Sequence, residues 1–166
     1  MKVVCRFTSI VFFLFALCTV NVYADNKVYA GVKGGTMITS LQGLSDANNI
    51  GLVVGYKFNK SFAVEGEFST SSSDGDVAGF GSWSLDTYAV YAAGRWGSKA
   101  YLKGKAGFVH EKIDITGGIG IAGSDTGLSL GLGAGYHFSD KVNVELEYTI
   151  IDEDIDFFSL GVNYTF

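Results

Sequence analysis

Apolar and polar residues alternate along most of the chain beyond residue 27, and this two-residue period is typical of β-strands with unlike faces. In residues 128–138, leucine, alanine and aromatic residues hold the even positions, while serine, glycine and histidine hold the odd ones. Seven other segments show the same period: 28–37, 51–58, 61–70, 83–96, 101–112, 142–151 and 155–166. The pattern predicts eight strands of about ten residues, which suit a small closed antiparallel barrel.

The connections between these strands are short at one end of the predicted barrel and long at the other. Since paired residues of a hairpin share a face, Phe58 should lie opposite Phe62, with residues 59–61 as a three-residue turn. The same parity predicts a turn at residues 139–141. The long connections are residues 38–49, 71–82 and 113–127, and the fourth connection at that end, around residues 152–154, is a short exception.

This arrangement predicts an all-β fold, an eight-stranded antiparallel up-and-down transmembrane β-barrel whose short turns lie in the periplasm. The apolar face should then meet lipid. Leu132 is expected to lie in this face, and Gly133, on the other face, is expected to tolerate serine. A soluble, lipocalin-like barrel has the same period with the apolar face turned inward, and the period alone does not distinguish the two.

The first residues have a different character. A basic start is followed by an apolar run too short to cross a bilayer, and small residues precede Asp25. These features predict a signal peptide over residues 1–24, cleaved between Ala24 and Asp25, and a single barrel domain over residues 25–166. Both cysteines, Cys5 and Cys18, lie in the predicted signal peptide, so the mature chain is expected to have no thiol site.

The chain ends on an aromatic residue at the tip of a strand. Ser159, Gly161, Tyr164 and Phe166 fit the assembly signal of bacterial outer-membrane barrels, and residues 51–68 resemble the second hairpin of the small barrel family with OmpA-type, OmpX-type and opacity-type members. The resemblance implies an integral protein of the bacterial outer membrane, in contact with lipid and lipopolysaccharide and inserted by the outer-membrane insertion machinery. Known members of that family are structural anchors, adhesins or narrow pores.

Charged residues recur on the face opposite the apolar one, so they should point into the lumen. Five are cationic and four are acidic: Lys33, Lys57, Arg95, Lys103, Lys105, Glu65, Glu67, Glu145 and Glu147. An eight-stranded barrel is just wide enough for side chains to fill it, so these charges are expected to form an ion-pair network that plugs the lumen, with Glu65 held between Lys57 and Arg95. The alternative is a narrow, low-conductance pore in which the groups are hydrated separately.

Two short motifs suggest chemistry but lack the context that it needs. Residues 118–123 have the G-x-G-x-x-G spacing of a dinucleotide loop, yet no helix follows to receive a phosphate. His137 and Ser139 resemble the His-x-Ser pair of lipid A deacylases, but they fall at a predicted periplasmic turn, away from that substrate. The sequence therefore predicts no catalytic, cofactor-binding or metal-binding residues.

The predicted outer connections are strongly acidic, with eleven carboxylates against Lys112 alone. This balance disfavours binding of nucleic acid and permits divalent cations that bridge to lipopolysaccharide phosphates. The sequence therefore predicts a monomer with a structural or surface-contact role, in which the long loops meet a host or cell-surface partner.

Overall fold

The computed structural model describes residues 27–40, 43–77, 81–117 and 121–166. Within these ranges the chain forms nine strands: β1 (Val28–Thr39), β2 (Ala47–Lys57), β3 (Phe62–Ser73), β4 (Gly75–Val77), β5 (Gly81–Gly97), β6 (Ala100–Gly117), β7 (Ile121–His137), β8 (Val142–Asp152) and β9 (Ile155–Thr165). The described residues contain no helix long and apolar enough to cross a membrane.

Eight of the strands close into an antiparallel barrel, which confirms the predicted fold class. Each strand pairs with its neighbours in the chain, except that β3 skips the short β4 and pairs with β5. The last strand, β9, pairs with β1 from Tyr29↔Thr165 to Thr39↔Ile155. Closure leaves no strand with an unpaired edge within the barrel wall, as lipid requires.

The short turns at residues 59–61 and 139–141 have the predicted three-residue form, and the third short turn, residues 98–99, has two residues. The backbone N–H of Phe58 donates to the carbonyl of Phe62, and that of Phe138 donates to the carbonyl of Val142, both at 2.9 Å. Each turn is held by its first side chain, because Asn59 and Ser139 each accept hydrogen bonds from two backbone N–H groups later in the turn. We call this the short-turn end of the barrel and the opposite end the long-loop end.

The apolar face points outward, so the soluble-barrel alternative is wrong. Leu132 is 74% exposed, and large apolar side chains cover the outside of the wall. At the short-turn end, three Tyr–Phe pairs stack edge to face: Tyr56–Phe58, Tyr136–Phe138 and Tyr164–Phe166. A ring of aromatic residues at the edge of an apolar band is typical of a barrel in lipid.

Three strands extend well past the others at the long-loop end. Strands β5, β6 and β7 have 17, 18 and 17 residues, whereas the other barrel strands have 11 or 12. Much of the segments predicted as loops, 71–82 and 113–127, is therefore strand. Outside lipid a β-ladder needs only backbone hydrogen bonds, so it does not require the alternation that a lipid-facing wall imposes.

The interior has two layers. Charged side chains fill the half nearer the short turns, and an apolar cluster fills the half nearer the long loops. Gly133 faces inward, as predicted, but the expected tolerance to serine is wrong. A Cβ there would lie only 2.6 Å from the carbonyl oxygen of Leu146, because the neighbouring strand packs closely at this position.

Candidate functional site

The charged layer is built by side chains that alternate inward from five strands. Strand β3 supplies Glu65 and Glu67, and β8 supplies a second pair, Glu145 and Glu147, from another part of the wall. The cations come from β1, β5 and β6. Residues two positions apart in a strand project from the same face, so each acidic pair places its two carboxylates at two levels along the barrel axis.

Arg95 and Lys103 hold the level nearer the short turns. Arg95 donates from Nη2 to Glu65 Oε1 at 2.6 Å and from Nε to Glu145 Oε1 at 2.8 Å. Lys103 Nζ lies 2.8 Å from Glu65 Oε2, 2.9 Å from Glu145 Oε2 and 2.5 Å from Glu147 Oε1. One lysine thus joins three carboxylates.

Lys105 and Lys33 hold the next level. Lys105 Nζ donates at 2.7 Å to both Glu67 Oε1 and Glu147 Oε2, and Lys33 Nζ pairs with the other oxygen of Glu67. Lys105 also lies 4.5 Å from the ring centre of Tyr91. Because Glu147 bonds to cations of both levels, the two levels form one network.

Four cations and four carboxylates make up this network, so its formal charge is zero among the described residues. All eight side chains are at least nine-tenths buried. Buried charges persist at low cost only when they are paired and hydrogen-bonded, which explains the balance. Space filled by paired side chains leaves little room for a continuous thread of water.

Lys57 departs from the sequence-based expectation. It does not contact Glu65; its Nζ donates to Thr165 Oγ1 at 3.0 Å and lies 5.2 Å from the ring centre of Tyr29. The register Gly55↔Glu65, which continues the pairing of Phe58 with Phe62, is confirmed, but the Glu65 carboxylate meets Arg95 and Lys103 instead of Lys57. Lys57 therefore stands outside the network, nearer the opening.

The apolar layer was missed by the sequence argument. It contains Met37, Trp83, Leu85, Val109, Ile151, Ile155 and Phe157, all buried inside the long-loop half of the barrel. The signal was present, because these positions break the alternation: Phe157 and Phe158 are both aromatic, and Trp83 and Leu85 are apolar on the polar face. Apolar residues on the lumen face indicate that this part of the lumen is packed with apolar side chains.

Glu111 lies beside this apolar layer, three residues beyond the outward-facing Phe108. The side chain is buried, and its Oε2 has no hydrogen-bond partner among the described residues. Burial, with Asp152 and Asp125 nearby, raises the pKa of Glu111 to about 7. This carboxyl group therefore titrates near neutral pH.

An internal repeat was also missed. Residues 55–68 and 135–148 share the order Gly-Tyr-x-Phe, a turn, and then Val-Glu-x-Glu ending on an aromatic residue. The two copies build equivalent hairpins, and each provides one of the acidic pairs. Comparison of the chain with itself reveals that both acidic pairs belong to one hairpin type.

The other candidate motifs have structural roles or lie outside the description. His137 stacks on Tyr101 with ring centres 4.7 Å apart, and Ser139 caps its turn. Residues 118–120 of the glycine loop, and the predicted cleavage site at Ala24 and Asp25, lie outside the described residues.

The residues of the assembly-signal motif alternate as predicted. Ser159 and Gly161 face the lumen side of β9, and Tyr164 faces outward beside Phe166 with ring centres 5.3 Å apart. The backbone N–H of Phe166 donates to Val28 at the seam between the first and last strands. The motif thus lies where the barrel closes.

Comparison with known proteins agrees with this geometry. Residues 10–166 match the family model described as outer membrane protein beta-barrel domain. Similar solved structures include the N-terminal β-barrel domain of Pseudomonas aeruginosa OprF (16% identity, TM-score 0.62, 83% of this chain and 97% of that one) and Neisserial surface protein A (15%, 0.63, 84% and 96%). A third is Ail, the attachment invasion locus protein of Yersinia pestis (20%, 0.59, 84% and 97%). No curated protein sequence matches, and at these identities the structural likeness shows the fold alone.

Proposed function

This chain belongs to the outer membrane protein β-barrel domain family, and from that premise we propose that it is a structural and surface-contact protein with a closed lumen. Barrels of the bacterial outer membrane keep short turns in the periplasm and long loops outside. The charged layer then lies within the membrane, toward the periplasm. The extensions of β5, β6 and β7 stand clear of the bilayer at the cell surface, and Glu111 lies at their base, where the ladder between β3 and β5 ends.

The extensions of β5, β6 and β7 form an outer sheet, and the proposal rests on a difference between its two edges: one edge is covered and the other is free. On one side β4 pairs with β5, and the edge of β4 is covered by the bridge Leu44↔Val77 and a hydrogen bond from Ser45 N to the carbonyl of Asp76. On the other side β7 pairs with β8 only from Leu130 to His137. Within the described residues, no strand covers the outer part of β7, residues 121–129.

A free strand edge offers backbone groups to a partner. The backbone N–H of His137 donates to the carbonyl of Lys99, just before β6. Backbone N–H groups of successive strand residues point alternately to the two neighbouring strands, so those of Ser124 and Thr126 point away from β6, to the free side. That of Thr126 is bonded to the Asp125 carboxylate at 2.7 Å, as expected for an N–H group without a strand partner. An extended segment of a host or cell-surface protein could add a strand here.

Charge defines this partner further. The free edge carries Asp125, and the outer side of the chain is rich in carboxylates. A basic extended segment would be attracted, whereas nucleic acid would be repelled. The same carboxylates are suited to divalent cations that bridge to lipopolysaccharide phosphates, so lipid and lipopolysaccharide are proposed as the lateral partners of a monomeric barrel.

The test is adherence of cells that carry edge variants. Ser124→Pro removes an N–H group from the free side while leaving the ladder to β6 intact, because proline is tolerated where the N–H faces solvent. We expect cells with Ser124→Pro to bind host-cell monolayers or immobilised matrix proteins less than cells with wild type or the matched control Ser124→Ala. Equal adherence of all three, at equal surface levels, would contradict the role of this edge.

The alternative function is a narrow, low-conductance pore. It requires water along the whole lumen, and both the ion-pair network and the apolar cluster stand against it. Planar-bilayer recording of the refolded barrel separates the two, because the surface-contact proposal expects no steady conductance. The proposal includes no catalytic step, since Ser139 is engaged in its turn and His137 stacks on Tyr101.

A further inference from the structure

A cavity opens at the short-turn end of the barrel, below the charged layer. It has a volume of about 860 Å³ and is lined by the short turns around Asn59, Ser98 and Asp140. Its inner wall includes Tyr29 and Tyr101, whose hydroxyls bond to network carboxylates. We call this cavity the vestibule. Volumes of this size hold small ligands.

The vestibule has a large excess of positive charge. Lys27, Lys57, Lys60 and Lys99 line it, and none of them lies within ion-pair distance of a carboxylate among the described residues. Arg95 also reaches it but is neutralised by the network above. Asp140 is the one acidic residue in the described lining.

Lys57 is the innermost of the unpaired cations. It is half-buried, and of its three donors one bonds to Thr165 Oγ1. A partly buried ammonium group loses hydration that an anion in the cavity would replace. The other three lysines are at the exposed rim, where they attract anions from the periplasm.

We propose that the vestibule binds a small phosphate-bearing anion from the periplasmic side, with Lys57 as its deepest ligand. A phosphate group carries more than one negative charge and accepts several hydrogen bonds, which suits several lysines around one opening. Because the charged layer closes the lumen above, the anion is held and does not pass through.

This site is independent of the outer sheet, since it lies at the other end of the barrel. The phosphate can come from a soluble periplasmic compound or from a headgroup of the inner leaflet. The two sources share one chemistry and differ in whether the bilayer competes with a soluble probe.

The experiment is calorimetric titration of the full barrel, refolded into nanodiscs of zwitterionic lipid, with inorganic pyrophosphate. We expect saturable binding to wild type, about tenfold weaker binding to Lys57→Gln, and unchanged binding to the control Lys112→Gln, which removes an exposed lysine at the opposite end. Heat-modifiable gel migration checks folding. Lys60→Gln, on the exposed rim, provides a second variant with a smaller expected loss.

The proposal is overturned if wild type does not bind pyrophosphate, or if Lys57→Gln and Lys60→Gln both bind it as tightly as wild type does. It is also overturned if Lys112→Gln loses as much affinity as Lys57→Gln. Repeating the titration in nanodiscs that contain anionic phosphatidylglycerol assigns the source. Weaker pyrophosphate binding there supports a lipid headgroup as the natural occupant, and unchanged binding supports a soluble phosphate compound.

Discussion

Replacement of Glu65 by glutamine tests whether the lumen is held by a balanced, dry network. The Glu65 side chain is fully buried. Its Oε1 accepts hydrogen bonds from Tyr29 at 2.5 Å and from Arg95 at 2.6 Å. Its Oε2 lies 2.8 Å from Lys103 Nζ but lacks hydrogen-bond alignment. The isosteric Glu65→Gln removes the charge and little else, leaving one unbalanced positive charge in the network.

The expected cost is about 3 kcal/mol in the free energy of unfolding. Breaking a buried ion pair typically costs about 3–5 kcal/mol. The lower end applies here for two reasons. Arg95 keeps Glu145 at 2.8 Å, and Lys103 keeps both Glu145 and Glu147, so neither cation is left alone.

Removal of a positive charge from the network should compensate for the loss of the Glu65 charge. Lys103→Met alone leaves an unbalanced negative charge among three carboxylates and should also destabilise the barrel. The double variant of Glu65→Gln and Lys103→Met restores neutrality. We therefore expect it to be more stable than the sum of the single effects by about 2 kcal/mol.

The assay is urea unfolding of the folded barrel in lipid vesicles, followed by tryptophan fluorescence and gel migration. Glu153→Gln, which changes an exposed carboxylate in the turn after β8, is the matched control and should stay within about 0.5 kcal/mol of wild type. The reasoning is refuted if Glu65→Gln unfolds like its parent, or if the double variant is as unstable as the summed singles.

Three other predictions concern the wall, the outer mouth and assembly. Leu132→Arg should cost about 2–4 kcal/mol in vesicles, since an outward arginine at the midplane must leave water, whereas Leu132→Phe should cost little. Because the pKa of Glu111 is raised to about 7, the folded protein holds a proton that the unfolded chain has lost between about pH 4.5 and 7, so stability falls as pH rises through this range. Glu111→Gln should therefore raise the free energy of unfolding by about 1–2 kcal/mol at pH 8, allowing for solvent screening, and leave it unchanged at pH 4. Deletion of Phe166 should leave a secreted chain that accumulates in the periplasm, measured by membrane fractionation.

Each of these predictions has an outcome that contradicts it. Equal stability of the Leu132 variants would mean that this position does not face lipid. A Glu111→Gln effect of the same size at pH 4 and pH 8 would show that titration is not its cause. Normal membrane yield after deletion of Phe166 would show that the terminal aromatic residue is dispensable for insertion.

The sequence by itself determined the barrel, because lipid imposes a simple rule on it. Each residue of a wall strand must face either hydrocarbon or lumen, so residues 128–138 could be assigned to faces by parity alone. Parity also predicted the turn between Phe58 and Phe62 and the register that places Gly55 opposite Glu65, and both are confirmed. The lumen position of the charged residues follows from the same rule.

The tertiary structure alone decided which inward groups meet. Parity gives a direction but no distance across the lumen, so Glu65 could be assigned to Lys57 when Lys103 of another strand is its partner. The same limit applies to Gly133, where the obstacle to a side chain is a carbonyl of the adjacent strand. Beyond the bilayer neither face of a strand must meet hydrocarbon, so parity no longer assigns its residues to an outer and an inner face. The long outer ladder of β6 and β7 and its free edge therefore depend on contacts that residue order does not reveal.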